Sequence, residues 1–67
     1  MIKICNDKGR IICFADPDTG LIERRSGNET QRFQLLPGTS FYYENDGYVT
    51  IVEYRAPNDM YHYTHRI

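Results

Sequence analysis

The sequence has no apolar run longer than a few residues, so no segment could cross a bilayer as a helix. Its first residues, Met1 to Lys8, carry charge but no apolar stretch of secretory length. That predicts a cytoplasmic, reducing setting for the two cysteines, Cys5 and Cys13. Neither sign of charge dominates: eight basic residues face nine acidic ones, for a formal charge of −1. A protein held to nucleic acid by bulk phosphate attraction is normally far more basic. Glycine-rich phosphate loops and dinucleotide fingerprints are missing. The few hydroxyl side chains stand in no strained glycine elbow. Carboxylate pairs such as Glu23 with Glu29, or Glu44 with Glu53, have no evident pocket to raise either pKa. These absences predict a protein that is not an enzyme and needs no cofactor.

Helical periodicity is also missing: no window carries an apolar stripe at a period of 3.6. What the chain has instead is regular punctuation by Gly, Pro, Asn and Asp. Asn6-Asp7-Lys8-Gly9, Asp16-Pro17-Asp18-Thr19-Gly20, Ser26-Gly27-Asn28-Glu29, Pro37-Gly38, Asn45-Asp46-Gly47 and Pro57-Asn58-Asp59 each separate short β-rich runs. The expected fold is all-β: one domain over 1–67, a small antiparallel, partly open barrel or strongly bent sheet of five to six short strands, of SH3-like or OB-like size. Segment 29–36 fits a strand or a short helical turn equally well. Leu36-Pro37-Gly38-Thr39 is turn chemistry and points to no family.

Two hairpin registers follow if each turn is a three-residue loop ending in a left-handed glycine. Around Asp7-Lys8-Gly9, Ile4 faces Ile12 and Ile2 faces Phe14, which buries Ile4, Ile12 and Phe14 together and exposes Lys3. Around Asn45-Asp46-Gly47, Phe41 faces Ile51 and Tyr43 faces Val49, with Tyr42, Thr50 and Val52 on the other side. A two-residue turn at Asp46-Gly47 would set Glu44 opposite Val49. The three-residue loop is preferred because it keeps that charge off the apolar face.

The candidate chemistry thins out on inspection. Cys5 and Cys13 become diagonal neighbours, about 7–8 Å apart at Cα, too far for a disulfide. His62 and His65 lie three apart on a strand and point to opposite faces, so they cannot share a metal ion. Asp16, Asp18, Gly20 and Glu23 echo a calcium loop, but Pro17 intervenes and the glycine comes too early. A hairpin turn explains that segment better, and no metal site is expected.

Six tyrosines remain, crowded into the C-terminal half. A core this small buries two or three large rings, which leaves the others to form a contact surface. The expected protein-binding residues are Tyr42, Tyr54, Arg55, Tyr61 and Arg66, the arginines supplying directed bonds to a partner's carboxylates. The functional expectation is a non-catalytic protein-binding module. A chain of this size beginning at Met1 suits a small accessory or inhibitor protein such as those of phages and other mobile elements. The alternatives are a small barrel binding single-stranded nucleic acid, which aromatics with arginines can do, and a structural subunit completed by self-association, as a homodimer for instance.

Overall fold

A computed structural model describes residues 1–67. Seven strands follow one another without a helix: β1 (Ile2–Cys5), β2 (Ile11–Asp16), β3 (Leu21–Ser26), β4 (Glu29–Gln34), β5 (Thr39–Asn45), β6 (Tyr48–Ala56) and β7 (Asp59–Arg66). Each pairs antiparallel with its chain neighbour, giving a four-stranded sheet β1-β2-β3-β4 and a three-stranded sheet β5-β6-β7. The all-β antiparallel class is as expected. The closure and the strand count are not: neither sheet closes into a barrel, and the strands number seven rather than five or six.

Segment 29–36 accounts for part of that difference. Its first six residues form β4, laddered to β3 from Leu21↔Gln34 to Ser26↔Glu29. The two-residue connection Gly27-Asn28 leads straight into that ladder, which supplies the backbone partners a helical turn would have had to make internally. The chain then crosses between sheets through Leu35–Gly38. The Leu35 amide donates to the Gly20 carbonyl at 3.0 Å, and the Gly38 amide to the Tyr54 carbonyl at 2.7 Å. The result is a flat, two-layered body with Cα extents of 29 × 28 × 15 Å.

The core lies between the layers. Ile4, Ile12, Cys13, Ala15 and Ile22 of the first sheet meet Val52 of the second, and Leu35, Phe41, Tyr43 and Met60 pack around them. Ile4 and Ile12 are buried and Lys3 is exposed, as expected, but the facing pairs differ. Cys5 pairs with Ile11, as the predicted register requires. A bulge then skips Ile12, so that Ile4 pairs with Cys13, Lys3 with Phe14 and Ile2 with Ala15. A bulge sets two residues against one and re-aims their side chains. It lets both Ile12 and Cys13 enter the core, at 3% and 1% exposure. Phe14 moves to the outer face and is only half-buried. Both cysteines are free thiols, and burial pushes Cys13 up to about 11 against the opposing pull of Arg24.

The β5–β6 hairpin turns in two residues, not three. Asp46 (φ 59°) and Gly47 (φ 80°) both adopt the left-handed region, the backbone of a tight turn whose twist matches its strands. Phe41 therefore pairs with Val52, Tyr43 with Thr50 and Glu44 with Val49. The expected objection to Glu44 opposite Val49 fails because that pair lies on the outer face, where a charge costs little. Inside are Phe41, Tyr43, Thr50, Val52 and Tyr54. Outside are Tyr42, Val49, Ile51 and Glu53.

The turns of the two sheets are tied together at both ends. At one end Asn6, 5% exposed, accepts at its side-chain oxygen from the amides of Lys8 (2.9 Å) and Arg10 (3.0 Å). Its Nδ2 donates across the layers to Asp46 Oδ2 at 3.2 Å, and Arg10 Nε donates to the same oxygen at 2.6 Å. These contacts, Arg10 first, hold the Asp46 carboxyl below the usual aspartate range. At the other end the Asn58 amide donates to the Pro17 carbonyl at 2.8 Å, and Tyr54 Oη donates to the Asp18 carbonyl at 3.4 Å.

Candidate protein-binding surface

Strand alternation and the β5–β6–β7 ladders place one set of side chains on the outer face of the second sheet. Three cross-strand rows make it up: Tyr42–Ile51–Tyr63, Ser40–Glu53–Tyr61 and Glu44–Val49–His65. Ile51, only 6% exposed, forms the floor beneath the rings, while Tyr42 and Tyr61 are 66% and 51% exposed. Along β7 the rings touch in sequence. Tyr61 and Tyr63 lie with centroids 5.3 Å apart at a tilt of 36°, and His65 meets Tyr63 edge-on at 5.0 Å. Such contacts stiffen exposed rings before any partner arrives.

Charge on this face is mixed. The Arg55 guanidinium sits 5.5 Å from the centroid of the Tyr61 ring and 3.7 Å from a Glu53 carboxylate oxygen. The same carboxylate accepts from the Tyr63 hydroxyl and, with burial and the neighbouring Tyr42 and Tyr61, raises its pKa. Tyr63 therefore stays a neutral phenol. Glu44 and Glu53 stand against the single guanidinium of Arg55, so no positive field runs across the rings.

Of the five expected residues, the structure gathers Tyr42, Arg55 and Tyr61 on this face. Tyr54 belongs elsewhere: it shares the inner side of β6 with Thr50 and Val52, is 3% exposed, and is part of the core. Arg66 pairs with Tyr48 and falls on the side of β7 that carries Thr64 and His62, opposite the tyrosines. Tyr63, His65, Glu53 and Ile51 complete the surface and were not among the expected residues. The alternation Tyr61-Tyr63-His65 was visible in the sequence. The Tyr42–Ile51–Tyr63 row was hidden by the three-residue turn assumed at Asp46-Gly47.

On the outer face of the first sheet, Glu23 accepts from Arg25 (Nη2 at 2.7 Å) and from Arg32 (Nε at 3.2 Å). These bonds, Arg25 first, hold its carboxyl below the ordinary glutamate range. Both arginines already have a carboxylate, which makes them poor phosphate ligands. A surface depression at the β1–β2 and β5–β6 turns is open to solvent and has no hydrophobic lining, being formed by Lys8, Gly9, Arg10 and Asp46. No three His, Cys, Asp or Glu side chains cluster as metal ligands would, and His62 and His65 occupy opposite faces of β7. Comparison with protein-family models, with curated proteins and with solved structures finds no match.

Proposed function

We propose that this chain is a non-catalytic protein-binding module whose contact surface is the outer face of β5–β7. The observation that carries the reading is the convergence of Tyr42, Tyr61, Tyr63 and Arg55 on one solvent face, above a buried Ile51. Aromatic rings with polar tips, stiffened by neighbours and joined by an arginine, are the residue types that dominate protein interfaces. The surface is flat and not a pocket, which suits a macromolecular partner better than a small ligand. Binding of single-stranded nucleic acid is the less favoured reading, because Glu44 and Glu53 stand among the rings. The proposal includes a reducing, cytoplasmic compartment, supported by Cys13 being a buried thiol paired across the ladder with Ile4 and not with Cys5.

The test is the double variant Tyr42→Ala with Arg55→Ala, both exposed positions. It should fold, and its affinity for a partner first isolated with the wild-type chain should fall by about 2–4 kcal/mol, the scale of truncated interface anchors. Normal affinity in a folded double variant would refute the surface. A complex with single-stranded oligonucleotide that weakens steeply with salt would favour the other reading.

A further inference from the structure

Of the four strand edges in this molecule, one is the longest and is continuous. β7 offers eight residues, Asp59–Arg66, whose one side is laddered to β6 and whose other side faces no strand. No backbone hydrogen bond outside the ladders involves residues 59–66. Proteins blunt such edges with lysine, proline, bulges on the edge strand or very short strands. β1 is short, four residues, and carries Lys3. β7 is longer than the edge strands β4 and β5, has no lysine, proline or glycine, and carries its charged residues, Asp59 and Arg66, only at its two ends.

We propose that β7 pairs antiparallel with β7 of a second copy of this chain, across a two-fold axis through His62, so that two three-stranded sheets become one of six strands. Opposed residues in an antiparallel pair share a face, so the register must match like parity with like. Centring on His62 sets Tyr61 opposite the partner's Tyr63, Met60 opposite the partner's Thr64, and Asp59 opposite the partner's His65. The tyrosine column of one copy then continues into the other, and Tyr61, half-exposed in the single chain, gains cover. At each end a carboxylate meets an imidazole that can donate to it, no two carboxylates or guanidiniums oppose each other, and the His62 imidazole faces its own copy on the axis.

The competing registers lack this complementarity. Centring on Tyr63 moves Asp59 opposite the partner's Ile67. Self-pairing of β4 about Arg32 sets two guanidiniums face to face, and about Gln31 it sets Glu29 opposite the partner's Phe33. Self-pairing of β5 about Tyr42 sets Glu44 opposite the partner's Ser40. Pairing through β7 leaves Tyr42 and Arg55 uncovered on the same sheet, so the interface adjoins the proposed partner surface at Tyr61 and Tyr63, and the Tyr42→Ala, Arg55→Ala variant tests that surface without altering the β7 edge.

A charge-swap cycle tests the register. Asp59 and His65 are both exposed and sit near opposite ends of β7, so they cannot reach each other within one chain. Sedimentation equilibrium over a hundredfold dilution series should show a monomer–dimer equilibrium for the wild type. Asp59→Arg alone and His65→Asp alone should each weaken the dimer roughly tenfold, the first by removing the carboxylate that each imidazole meets, the second by setting two carboxylates opposite each other at both ends. Asp59→Arg combined with His65→Asp should restore it. Circular dichroism checks that each variant folds. Amide hydrogen exchange within 59–66 should slow as concentration rises. A wild type that stays monomeric throughout, single variants that dimerise normally, or a double variant that fails to recover while folded would each overturn the proposal.

Discussion

Gly20→Ala should be among the most damaging single-methyl changes available to this chain. Gly20 closes the β2–β3 turn at φ +80°, a conformation that L side chains rarely adopt. A Cβ there would stand 2.5 Å from Tyr54 Cε2, 2.6 Å from Tyr54 Cδ2 and 2.8 Å from the Leu35 carbonyl oxygen. Carbon pairs rest at about 3.5–4.0 Å, so the Tyr54 ring or the backbone must move. The ring has little room, since Tyr54 is 3% exposed and its hydroxyl is tied to the Asp18 carbonyl. The positive φ costs about 1–2 kcal/mol, and forced repacking of a filled site adds about 1–3 kcal/mol. The sum, about 2–5 kcal/mol, compares with a total stability of roughly 3–10 kcal/mol for a domain of this length. Gly9→Ala is the control: φ there is +81°, but an added Cβ meets nothing within 4 Å. Urea denaturation of both variants isolates the steric part as their difference. A Gly20→Ala, Tyr54→Leu double variant should recover part of the loss, because the smaller side chain removes the ring that clashes. If Gly20→Ala costs no more than Gly9→Ala, the close packing of Tyr54 on this turn is wrong.

Two further predictions rest on single polar groups. Thr50 is 1% exposed and its hydroxyl has no hydrogen-bond partner; Thr50→Val should therefore stabilise the fold by about 1 kcal/mol in urea melts, the scale of an unsatisfied buried group, and a loss of stability would refute it. Glu23 has a lowered native pKa, so it favours the folded state above the ordinary value of 4.5 and that contribution disappears as pH falls through the native value. Stability measured from pH 7 downward should decline more gently in Glu23→Gln than in the wild type, and identical acid limbs would show that the Arg25 and Arg32 bonds do not matter to folding.

Much of the fold was legible because turn chemistry is local. Every expected turn segment lies at or beside a connection between strands, and the Cys5↔Ile11 pair follows from the Asp7-Lys8-Gly9 loop with its left-handed glycine. The bulge at Ile12 was not legible, because nothing in Arg10-Ile11-Ile12-Cys13 shows which of two adjacent apolar residues is the extra one. Only the demand of the core for both Ile12 and Cys13 decides it. Asp46-Gly47 failed for a different reason. The weighing assumed that the Glu44–Val49 side was the apolar one, whereas the second sheet buries Thr50 and Val52 instead. Assigning the tyrosines suffered accordingly. Tyr42 and Tyr61 were placed by alternation, but Tyr54 could be told from them only by knowing that β6 turns its even-numbered side inward onto Gly20.

The cross-layer ties at the turns set where this chain can be cut or lengthened. Asn6–Arg10 and Asp46-Gly47 are bonded to each other, Pro17–Gly20 to Tyr54 and Asn58, and Leu35–Gly38 to Gly20 and Tyr54. An inserted peptide at any of these would have to break a contact between the sheets. Gly27-Asn28 alone makes no such bond, and an added Cβ at Gly27 meets open space. A fluorophore, an affinity tag or a grafted loop therefore belongs at the tip of the β3–β4 hairpin. There it would project from the four-stranded sheet and leave both the tyrosine face and the β7 edge free.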